Sequence, residues 1–518
     1  MAEPSSRPSS NAQMLGGVAA AAVSLGVAAL LGSGFAAQAD PLDAVGAAVI
    51  DLTPGPIRDL AIQTLGSLDK AFLVVVILVV IAATAALAAT YETARRPIGS
   101  VIFCAAGILG CLAVLSRPDA TTLHTVPTLV GTACGVAVLR FLVLRLWTSR
   151  ADPATSPDES FDPGRRIWLA TAGLLGVGVA TGLIGAALDR VTRSVTAERG
   201  TWKIPVPRTR AAPIPAEVQP KDVVLPNFLT DSADFYRVDI ALRVPQLSRE
   251  EWQLRIHGLV DREITYSFTD LERFEAVEAP ITLTCVSNPV GGEYMSTGIW
   301  TGYRLTDLLA DAGVSPDADM LLSSSVDGFT VGTPTEVLAD GRDALLAVGL
   351  NGEPLPVAHG YPARLVIAGL YGYVSATKWV TDLELTRFDR AEAYWTRQGW
   401  AERGPIKTQS RIDAPTPGQR IAPGPVTFGG VAWAQNRGVR AVEVRVDDGP
   451  WQPAELGVAY SNQTWRLWSF RWATATPGEH TLTVRATDNT GYTQTPDEAP
   501  TVPDGATGWH SVAFSVDG

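Results

Sequence analysis

Five long apolar stretches in the first 190 residues restrict what this part of the chain can fold into. They cover residues 14–35, 71–90, 98–116, 125–147 and 167–188. Each is close to the roughly 20 residues that a bilayer-spanning helix requires. We therefore predict an all-α membrane domain of about five transmembrane helices. The first stretch has a second interpretation as a signal peptide, because it ends in small residues typical of a cleavage site.

Basic residues predict the orientation of these helices. Arg95 and Arg96 follow the second stretch, whereas the loop 37–70 carries only Arg58 and Lys70. A further basic group lies between the fourth and fifth stretches and consists of Arg140, Arg145, Arg150, Arg165 and Arg166. Because positive loops stay in the cytoplasm, we expect the N-terminus inside and everything after the fifth stretch outside.

The pair Arg165–Arg166, directly before the fifth stretch, has two interpretations. It is an ordinary positive flank, or it is a twin-arginine export signal. A cofactor loaded in the cytoplasm favours the signal, because the domain that holds it must then be exported folded. His124 is the only histidine in the first 190 residues, so the paired imidazoles of a bis-histidine haem site are lacking there. The stretches therefore form an anchor, a docking surface or a quinone site.

The chain after the apolar stretches divides by composition. Residues 191–225 are rich in proline and predict an extended linker or a segment wrapped on a surface. Residues 226–408 mix helix and strand patterns and lack a dinucleotide-binding glycine motif, which predicts an α+β domain. Within it, 253–260 alternates like a half-buried strand, and Thr269 is a candidate cap of a short helix.

Two further elements of the α+β domain have clear end signals. Residues 305–312 predict a helix that ends at Gly313. The apolar run 344–350 is followed by Asn351–Gly352, which predicts a hairpin with a type I′ turn.

The last region, 409–518, shows short strands between turns. Val442, Val444 and Val446 alternate with polar residues, and similar alternation recurs at 468–472 and 482–487. This pattern predicts an immunoglobulin-like antiparallel β-sandwich of about 100 residues. We expect its tryptophans to belong to the core.

Cys285 is the one cysteine outside the apolar region. The other three are Cys104, Cys111 and Cys134. A lone thiol at the end of a strand-like run has no disulfide partner in its own domain. It is therefore a candidate nucleophile or metal ligand.

Several polar side chains of the α+β domain are candidates to accompany Cys285. They are Arg237, Asp327, His359, Arg364 and Lys378. Cys285 and one distant histidine are compatible with the catalytic pair of a thiol hydrolase. Dispersed arginines and a lysine instead favour a large anionic ligand, with phosphate as the obvious anion. Each residue taken singly also fits an ordinary structural role.

An ordered set of motifs resembles the sulfite oxidase family of molybdopterin enzymes. The motifs lie at 284–288, 299–302, 351–356, 359–364 and 378–379. The resemblance extends from about 225 to 405 and implies a sulfite-oxidase-like molybdopterin domain. The β-sandwich resembles that family's C-terminal dimerisation domain, which implies a homodimer.

The resemblance also implies residue roles. Cys285 would give its thiolate to molybdenum, and Arg237 and Trp400 would join it at the catalytic centre. The residues implied to bind Mo-molybdopterin are Tyr236, Arg237, Asp239, Cys285, Ser287, Asn288, Asp327, His359, Arg364, Ser375, Ala376, Thr377 and Lys378. Many sulfite oxidases carry histidine where this chain has Asp239. Trp400 stands where they carry a tyrosine, and tryptophan lacks the phenolic donor and acceptor.

We therefore expect a membrane-anchored, multi-pass protein of the bacterial cell membrane whose catalytic half faces outward. Its reaction is oxygen-atom transfer at molybdenum, on sulfite-like or S-oxide substrates such as methionine sulfoxide. Electrons pass through a separate carrier, a quinone-linked cytochrome or the membrane domain. The alternative is a cofactor-free cell-envelope scaffold on the same fold. With a net charge of −12, we expect no nucleic-acid partner.

Overall fold

The computed structural model describes residues 10–54, 57, 64–65, 68–118, 120–148 and 163–518. Contacts divide them into two units. The first contains the chain up to Ser194 and the short segment Ile240–Val244. The second contains Val195–Asp239 and Pro245–Gly518. The predicted boundaries near residues 190, 225 and 408 remain predictions.

The first unit is helical. Its α-helices among the described residues are α1 Ser10–Gly32, α2 Pro41–Leu52, α3 Asp69–Tyr91, α4 Ile98–Leu115, α5 Val126–Thr148 and α6 Pro163–Arg193. By length and composition, five helical segments of the described residues are able to cross a membrane: Ser10–Gly32, Asp69–Tyr91, Ile98–Leu115, Thr122–Leu144 and Trp168–Thr201. The predicted apolar helices are therefore confirmed as helices.

Helix α1 is an internal part of this unit. It packs against α6, α5 and α3, and Ala19 and Ala20 on it are fully buried. Gly17 and Gly26 let it approach the backbones of α3 and α6 so closely that a Cβ at either position would collide with a carbonyl group. Small residues at helix contacts are typical of membrane bundles. This packing favours a retained helix over a cleaved signal peptide.

Part of the basic pattern lies outside what the structure describes. Arg58 and Arg150 are outside the described residues, as are the side chains of Arg145, Arg165 and Arg166. The orientation and the twin-arginine signal therefore remain predictions.

The second unit begins with a short helix, α7 Thr196–Thr201, and its α+β part contains one mixed sheet, one antiparallel sheet and the helix α8 Leu305–Ala312. The strands of these sheets are β1 Gln253–Gly258, β2 Ile264–Ser267, β3 Ala276–Thr284, β4 Met295–Arg304, β5 Met320–Ser325, β6 Thr330–Pro334, β7 Ala344–Leu350, β8 Glu353–Pro354, β9 Arg364–Ile367 and β10 Val380–Thr386. One sheet has the order β2-β1-β10-β5-β6, with β1 and β10 parallel. The other has the order β3-β4-β7-β8, and β9 pairs with β7. The predicted α+β character is confirmed.

In this region the predicted helix end and the predicted hairpin turn are confirmed, and one predicted helix cap is wrong. Helix α8 ends at Gly313 in the left-handed conformation. Asn351 and Gly352 both have positive φ, 52° and 81°, as a type I′ turn requires. The prediction that Thr269 caps a short helix is wrong. Thr269 is the first residue of a 3₁₀ turn, Thr269–Arg273, and the preceding Phe268 makes no side-chain cap.

The proline-rich segment is wrapped on the second unit. The amide of Arg208 donates to the carbonyl of Ala276 at 2.8 Å, and the amide of Glu278 donates to Thr209 at 2.8 Å. Further along, the Tyr460 hydroxyl donates to the carbonyl of Ala212 at 2.8 Å. The wrapped interpretation is therefore favoured over a free linker.

The C-terminal region is a β-sandwich, as predicted. Its strands are β11 Gln409–Ala414, β12 Arg420–Ile421, β13 Gly424–Trp433, β14 Val439–Val446, β15 Gln452–Pro453, β16 Glu455–Leu456, β17 Arg466–Ala475, β18 Gly478–Asp488 and β19 His510–Val516. One sheet has the order β11-β13-β17-β16 and the other β12-β19-β18-β14-β15. The alternating side chains Val442, Val444, Leu482 and Val484 meet in its core, as does Trp468.

Strand β3, which leads into Cys285, is hydrogen-bonded to the sandwich. The amide of Thr282 donates to Gln463 at 3.0 Å. The amide of Trp465 donates to the Thr282 hydroxyl at 2.8 Å, and Gln435 donates its side-chain amide to the Thr282 carbonyl at 3.2 Å. The strand before the cysteine is thus held by its pairing with β4 and by these hydrogen bonds to the sandwich.

Candidate functional site

Cys285 follows the last residue of β3 and begins a tight loop. Its amide donates to the carbonyl of Tyr294 at 2.9 Å, and its carbonyl accepts from Asn288 at 3.2 Å. Only 9% of the residue is exposed. Burial raises the pKa of the thiol, while hydrogen bonds from the Ser287 amide and hydroxyl and from the Val286 amide act in the opposite direction. These donors point at the sulfur and stabilise its thiolate form.

This environment does not suit a thiol hydrolase. An activated cysteine nucleophile needs a lowered pKa and a basic partner, whereas burial raises the pKa of Cys285. The groups that hydrogen-bond its sulfur belong to Ser287 and Val286. His359 lies instead among the cations described next, and a buried thiolate held by amides is better suited to a metal.

A cluster of charged side chains gathers around Asp239. Arg237 donates to both of its carboxylate oxygens, at 2.7 and 3.3 Å. Lys378 donates its ammonium to the same carboxylate at 2.6 Å. The side chain of Asp239 is 4% exposed and that of Lys378 is 9% exposed. One buried carboxylate therefore orients two cations from distant parts of the chain.

Burial controls the charge of Lys378. Desolvation lowers its pKa to about 8, although Asp239 favours the charged form and Arg364 disfavours it. The lysine is still protonated at neutral pH. A bound anion would compensate for the lost solvation, because it adds negative charge beside the ammonium.

Arg364, the first residue of β9, is the third cation of the site and is buried. Its guanidinium donates to the carbonyls of His359 and Ala376 at 3.0 and 3.2 Å and lies 5.1 Å from the ring centre of Trp300. Desolvation lowers its pKa to about 10. Among the described residues it forms no ion pair, so its positive charge is available to an anion.

His359 is buried and neutral. Desolvation, Arg364 and Lys378 together lower its pKa to about 3, and its ring lies edge-on to Phe235 at 5.7 Å. A neutral imidazole can both donate and accept a hydrogen bond. It therefore adds polar contacts to the cationic site without adding charge.

Asp327 reaches the same cluster. Burial raises the pKa of its carboxyl group, and the charges of Asp239 and Lys378 both act on it. Its side chain also accepts from the amide of Phe329 at 3.1 Å. The site thus combines three cations with two carboxylates, and one of these carboxylates is biased by burial toward its neutral form.

The segment from Ser375 to Lys378 forms one wall of the site. The Ser375 hydroxyl donates to the carbonyl of Tyr371 at 3.0 Å, and the Thr377 hydroxyl pairs with Ser323 at 2.6 Å. The Ala376 carbonyl accepts from Arg364. The two hydroxyls therefore shape the loop, while its backbone and Lys378 face the other cations.

Tyr236 connects the cations with the cysteine. Its amide donates to the Ser296 hydroxyl at 3.1 Å. Burial raises the pKa of its phenol, the charge of Cys285 adds to this rise, and Arg364 opposes it. The structure therefore brings a protonated phenol to the junction of the two parts of the site.

Trp400 lies in a buried aromatic cluster. Its ring is 5.9 Å from Tyr373 and 6.1 Å from Trp395, and its amide donates to the carbonyl of Trp395 at 3.1 Å. These contacts are those of a packed wall residue. Its place at the catalytic centre remains a prediction.

Sequence reasoning missed Tyr371. It is 3% exposed, and burial raises the pKa of its phenol to about 12, with Cys285 among the charges that act on it. Its hydroxyl accepts from the amide of Lys407 at 3.4 Å. The sequence feature that could have predicted it is the aromatic-rich run 370–373, which lies directly before the predicted binding segment.

Two buried polar atoms near the cysteine have no hydrogen-bond partner among the described residues. They are the hydroxyl of Thr284 and the side-chain amide nitrogen of Asn288. Leaving such groups unpaired costs about 1–3 kcal/mol each. A polar ligand beside Cys285 would satisfy them. These atoms, the thiol and the three cations fit a metal-bearing anionic cofactor such as Mo-molybdopterin.

Comparisons with known proteins agree with this site. Residues 241–395 match the family model "Oxidoreductase molybdopterin binding domain", and residues 409–484 match "Bacterial Ig domain". The uncharacterized oxidoreductase YuiH of Bacillus subtilis is 34% identical over 154 residues, which cover 30% of this chain and 74% of YuiH. Human mitochondrial sulfite oxidase is 28% identical over 327 residues, covering 54% of this chain. The chain spans 59% of that relative's length.

Among solved structures, the sulfane dehydrogenase SoxCD of Paracoccus pantotrophus matches 52% of this chain and 75% of its own, with 28% identity and a TM-score of 0.47. The domain match and the site together define the class of the protein as a molybdenum-cofactor oxidoreductase. The chain belongs to the sulfite oxidase family of molybdopterin-dependent oxidoreductases. The resemblance noted in the sequence is thereby confirmed, and the cofactor-free scaffold is set aside.

Proposed function

We propose that this protein is a membrane-anchored enzyme that faces the extracytoplasmic side and transfers an oxygen atom to or from sulfite-like or S-oxide substrates. One observation carries the proposal. Cys285 is a buried thiol surrounded by amide and hydroxyl donors, and unpartnered polar atoms lie in the same loop and strand end. This arrangement stabilises a metal-bound thiolate.

When bound, Mo-molybdopterin supplies a two-electron centre at which the oxygen atom is exchanged. The chain's own residues hold and orient it. Cys285 provides a soft thiolate ligand, and the donors of Ser287 and Val286 withdraw charge from the sulfur. Hydrogen bonds to a ligating sulfur tune the metal that it binds.

The cation cluster would hold the anionic part of the cofactor. Arg237 and Lys378 are oriented by Asp239, and the charge of Arg364 has no carboxylate partner among the described residues. Charge-assisted hydrogen bonds to a phosphate are strong and directional. His359 and Asp327 add polar contacts around the same anion.

The phenols of Tyr236 and Tyr371 bear on the choice of substrate. Oxidation of sulfite consumes water and releases two electrons and two protons, whereas reduction of a sulfoxide consumes both and releases water. Tyr236 and Tyr371 are protonated at neutral pH, as phenols ordinarily are, and burial raises both pKa values further. A protonated phenol can donate to a sulfoxide oxygen, so methionine sulfoxide and related S-oxides are included with sulfite in the proposed substrate class.

The apolar helices support the membrane anchor. Five described helical segments have the length and composition to cross a bilayer, and the basic residues beside the apolar stretches favour an orientation with the second unit outside. Electrons would then pass to or from a separate carrier or a quinone-linked cytochrome. A homodimer through the sandwich is part of the same proposal.

Metal analysis and an activity screen test the function. Purified protein should contain about one molybdenum and one pterin per chain, as expected for a single mononuclear site. With redox dyes as partners, it should turn over either sulfite or methionine sulfoxide. Stoichiometric metal without activity on either substrate would reject the substrate class, and absence of molybdenum would reject the cofactor.

Export and orientation need a separate test. Replacing Arg165 and Arg166 together with lysine should leave the second unit inside the cell if the pair is a twin-arginine signal. Protease added to spheroplasts reports the location of that unit. Normal export of the double variant would show that the pair is only a positive flank.

A further inference from the structure

The loop from Cys285 to Gly292, here called the cysteine loop, lies against two side chains of the β-sandwich. Arg411 on β11 donates from Nη1 to the carbonyl of Gly292 at 2.8 Å, and its side chain is 7% exposed. The ring of His510, at the start of β19, packs directly on Gly291, where any Cβ would collide with it. Gly291 has a φ of 77°, a conformation that favours glycine.

Both sandwich side chains are themselves held in place. Arg411 donates through Nε to Asp413 at 2.7 Å, and Asp413 is further along the same strand. The Nδ1 atom of His510 accepts from the amide of Ile412 at 3.0 Å, so its Nε2 carries the proton. Desolvation and Arg411 lower the pKa of His510 to about 4, and the ring is neutral at physiological pH. Each contact is therefore rigid on the sandwich side.

The cysteine loop transmits these contacts to the thiol. The amide of Gly292 donates to Pro289 at 2.9 Å, and the amide of Asn288 donates to the carbonyl of Cys285 at 3.2 Å. The side-chain oxygen of Asn288 then accepts from the amide of Tyr294 at 2.9 Å. These consecutive turns leave little freedom between Gly292 and Cys285, so a shift at one end moves the other.

We propose that Arg411 and His510 are positioning residues for Cys285, and that the sandwich is a structural part of the catalytic centre. The hydrogen bonds to the sulfur come from Ser287 and Val286 and not from these two residues. They act through the backbone of Gly291 and Gly292. This inference rests on the proposed role of Cys285 as the metal ligand, but it makes a statement about the thiol that can be measured without the metal.

The competing explanation is that these contacts only join the two parts of the second unit. In that case, loss of the Arg411 bond would lower overall stability and leave the local environment of Cys285 unchanged in the protein that remains folded. The two explanations therefore differ at the thiol and at the bound metal, and both are accessible to measurement.

The first experiment uses the full chain, purified without cofactor, and the rate at which iodoacetamide alkylates Cys285, read by peptide mass spectrometry. Cys104 serves as an internal reference in the same sample. In Arg411→Gln the rate should rise about tenfold or more, because the charged hydrogen bond to the loop is lost. Arg411→Lys keeps the charge but not the planar fork, and it should be intermediate.

The matched control is Arg420→Gln. Arg420 also lies in the sandwich and pairs with a carboxylate, Asp517, but both side chains are exposed. This variant should react at the wild-type rate. Gly291→Ala approaches the same contact from the loop side, because the added Cβ displaces the His510 ring. It should accelerate alkylation even if Arg411→Gln fails to fold.

The second readout is the spectroscopic signature of bound molybdenum in the loaded enzyme. Positioning predicts that the signature of the metal-bound fraction shifts in Arg411→Gln and returns partly in Arg411→Lys. An unchanged signature together with wild-type alkylation in Arg411→Gln and Gly291→Ala would overturn the inference. If the metal proves not to bind Cys285, alkylation still changes while the signature does not, which separates failure of the cofactor proposal from failure of this one.

Discussion

Two buried charges, Glu92 in the helical unit and Arg364 in the second unit, are compensated in different ways. In the helical unit, Glu92 at the end of α3 is fully buried. Its carboxylate accepts from the amide and hydroxyl of Ser100 at 2.8 and 2.9 Å and from Arg140 at 2.9 Å. Protein groups alone thus compensate this charge. In the second unit, Arg364 is also buried, but it meets carbonyl groups and no carboxylate among the described residues.

The difference teaches which buried charges are structural. A carboxylate with a complete set of internal donors stabilises the fold and has nothing to offer a ligand. Cations that are desolvated without full compensation raise the energy of the empty site, and an anion lowers it again. Substitutions in the two units should therefore separate stability from cofactor retention.

The largest effect is expected at the thiol. Cys285→Ala should lower molybdenum-dependent activity by more than about 100-fold, since loss of even an outer partner of a metal ligand costs 10- to 100-fold. Cys104→Ala, in the helical unit, should keep full activity. Both are checked by turnover at saturating dye and substrate. Wild-type turnover in Cys285→Ala would show that the cysteine is not part of the active site.

The next effect concerns cofactor retention. Lys378→Met removes a buried cation that Asp239 orients, and retained pterin should fall about tenfold, the value of a charge-assisted hydrogen bond. Arg403→Met removes an exposed cation paired with Glu336 and should retain the wild-type amount. Pterin fluorescence after denaturation measures both. Equal retention in the two variants would contradict a phosphate site at Lys378.

In the helical unit, a substitution at a buried charge should lower stability and leave the molybdenum content unchanged. Glu92→Gln breaks the buried ion pair with Arg140 and should cost roughly 2–4 kcal/mol of unfolding free energy. Molybdenum content of the folded fraction should stay at the wild-type value. Thermal unfolding in detergent and metal analysis check the two parts. Loss of metal without loss of stability in Glu92→Gln would contradict the structural role assigned to this buried charge.

The smallest effect is a pH dependence of anion binding. The pKa of Lys378 is lowered to about 8, so its ammonium is present below that pH and lost above it. Cofactor-free protein should therefore bind inorganic phosphate several-fold more weakly at pH 9.5 than at pH 7, up to about tenfold for one charged hydrogen bond. Calorimetric titration at both pH values measures the affinity for phosphate. The Lys378→Met variant should bind phosphate weakly, with the same affinity at both pH values. The same slope in that variant would assign the titration to another group.

Local and periodic features of the fold could be predicted from the sequence. The apolar helices, the turn at Asn351–Gly352, the helix end at Gly313 and the sandwich core each depend on neighbours along the chain. The parallel pairing of β1 with β10 could not be predicted, because it joins segments more than 100 residues apart. The wrapped course of the proline-rich segment depends on the same kind of distant contact.

The candidate site shows the same division. The family resemblance implied roles for Arg237, Arg364 and Lys378, and the structure brings the three side chains together. The role of Asp239 as their shared partner, the hydroxyls of Ser375 and Thr377 turned inward, and the contacts of Arg411 with the cysteine loop depend on tertiary packing. A motif gives the residue type, whereas the partner of each side chain is set by distant strands.

The central claim is that Cys285 is a ligand of molybdenum, and X-ray absorption at the molybdenum edge tests it most directly. The spectrum of the loaded wild-type protein should require one more sulfur ligand than that of loaded Cys285→Ala. Equal sulfur coordination in the two proteins would contradict the account, as would the absence of molybdenum from the wild type.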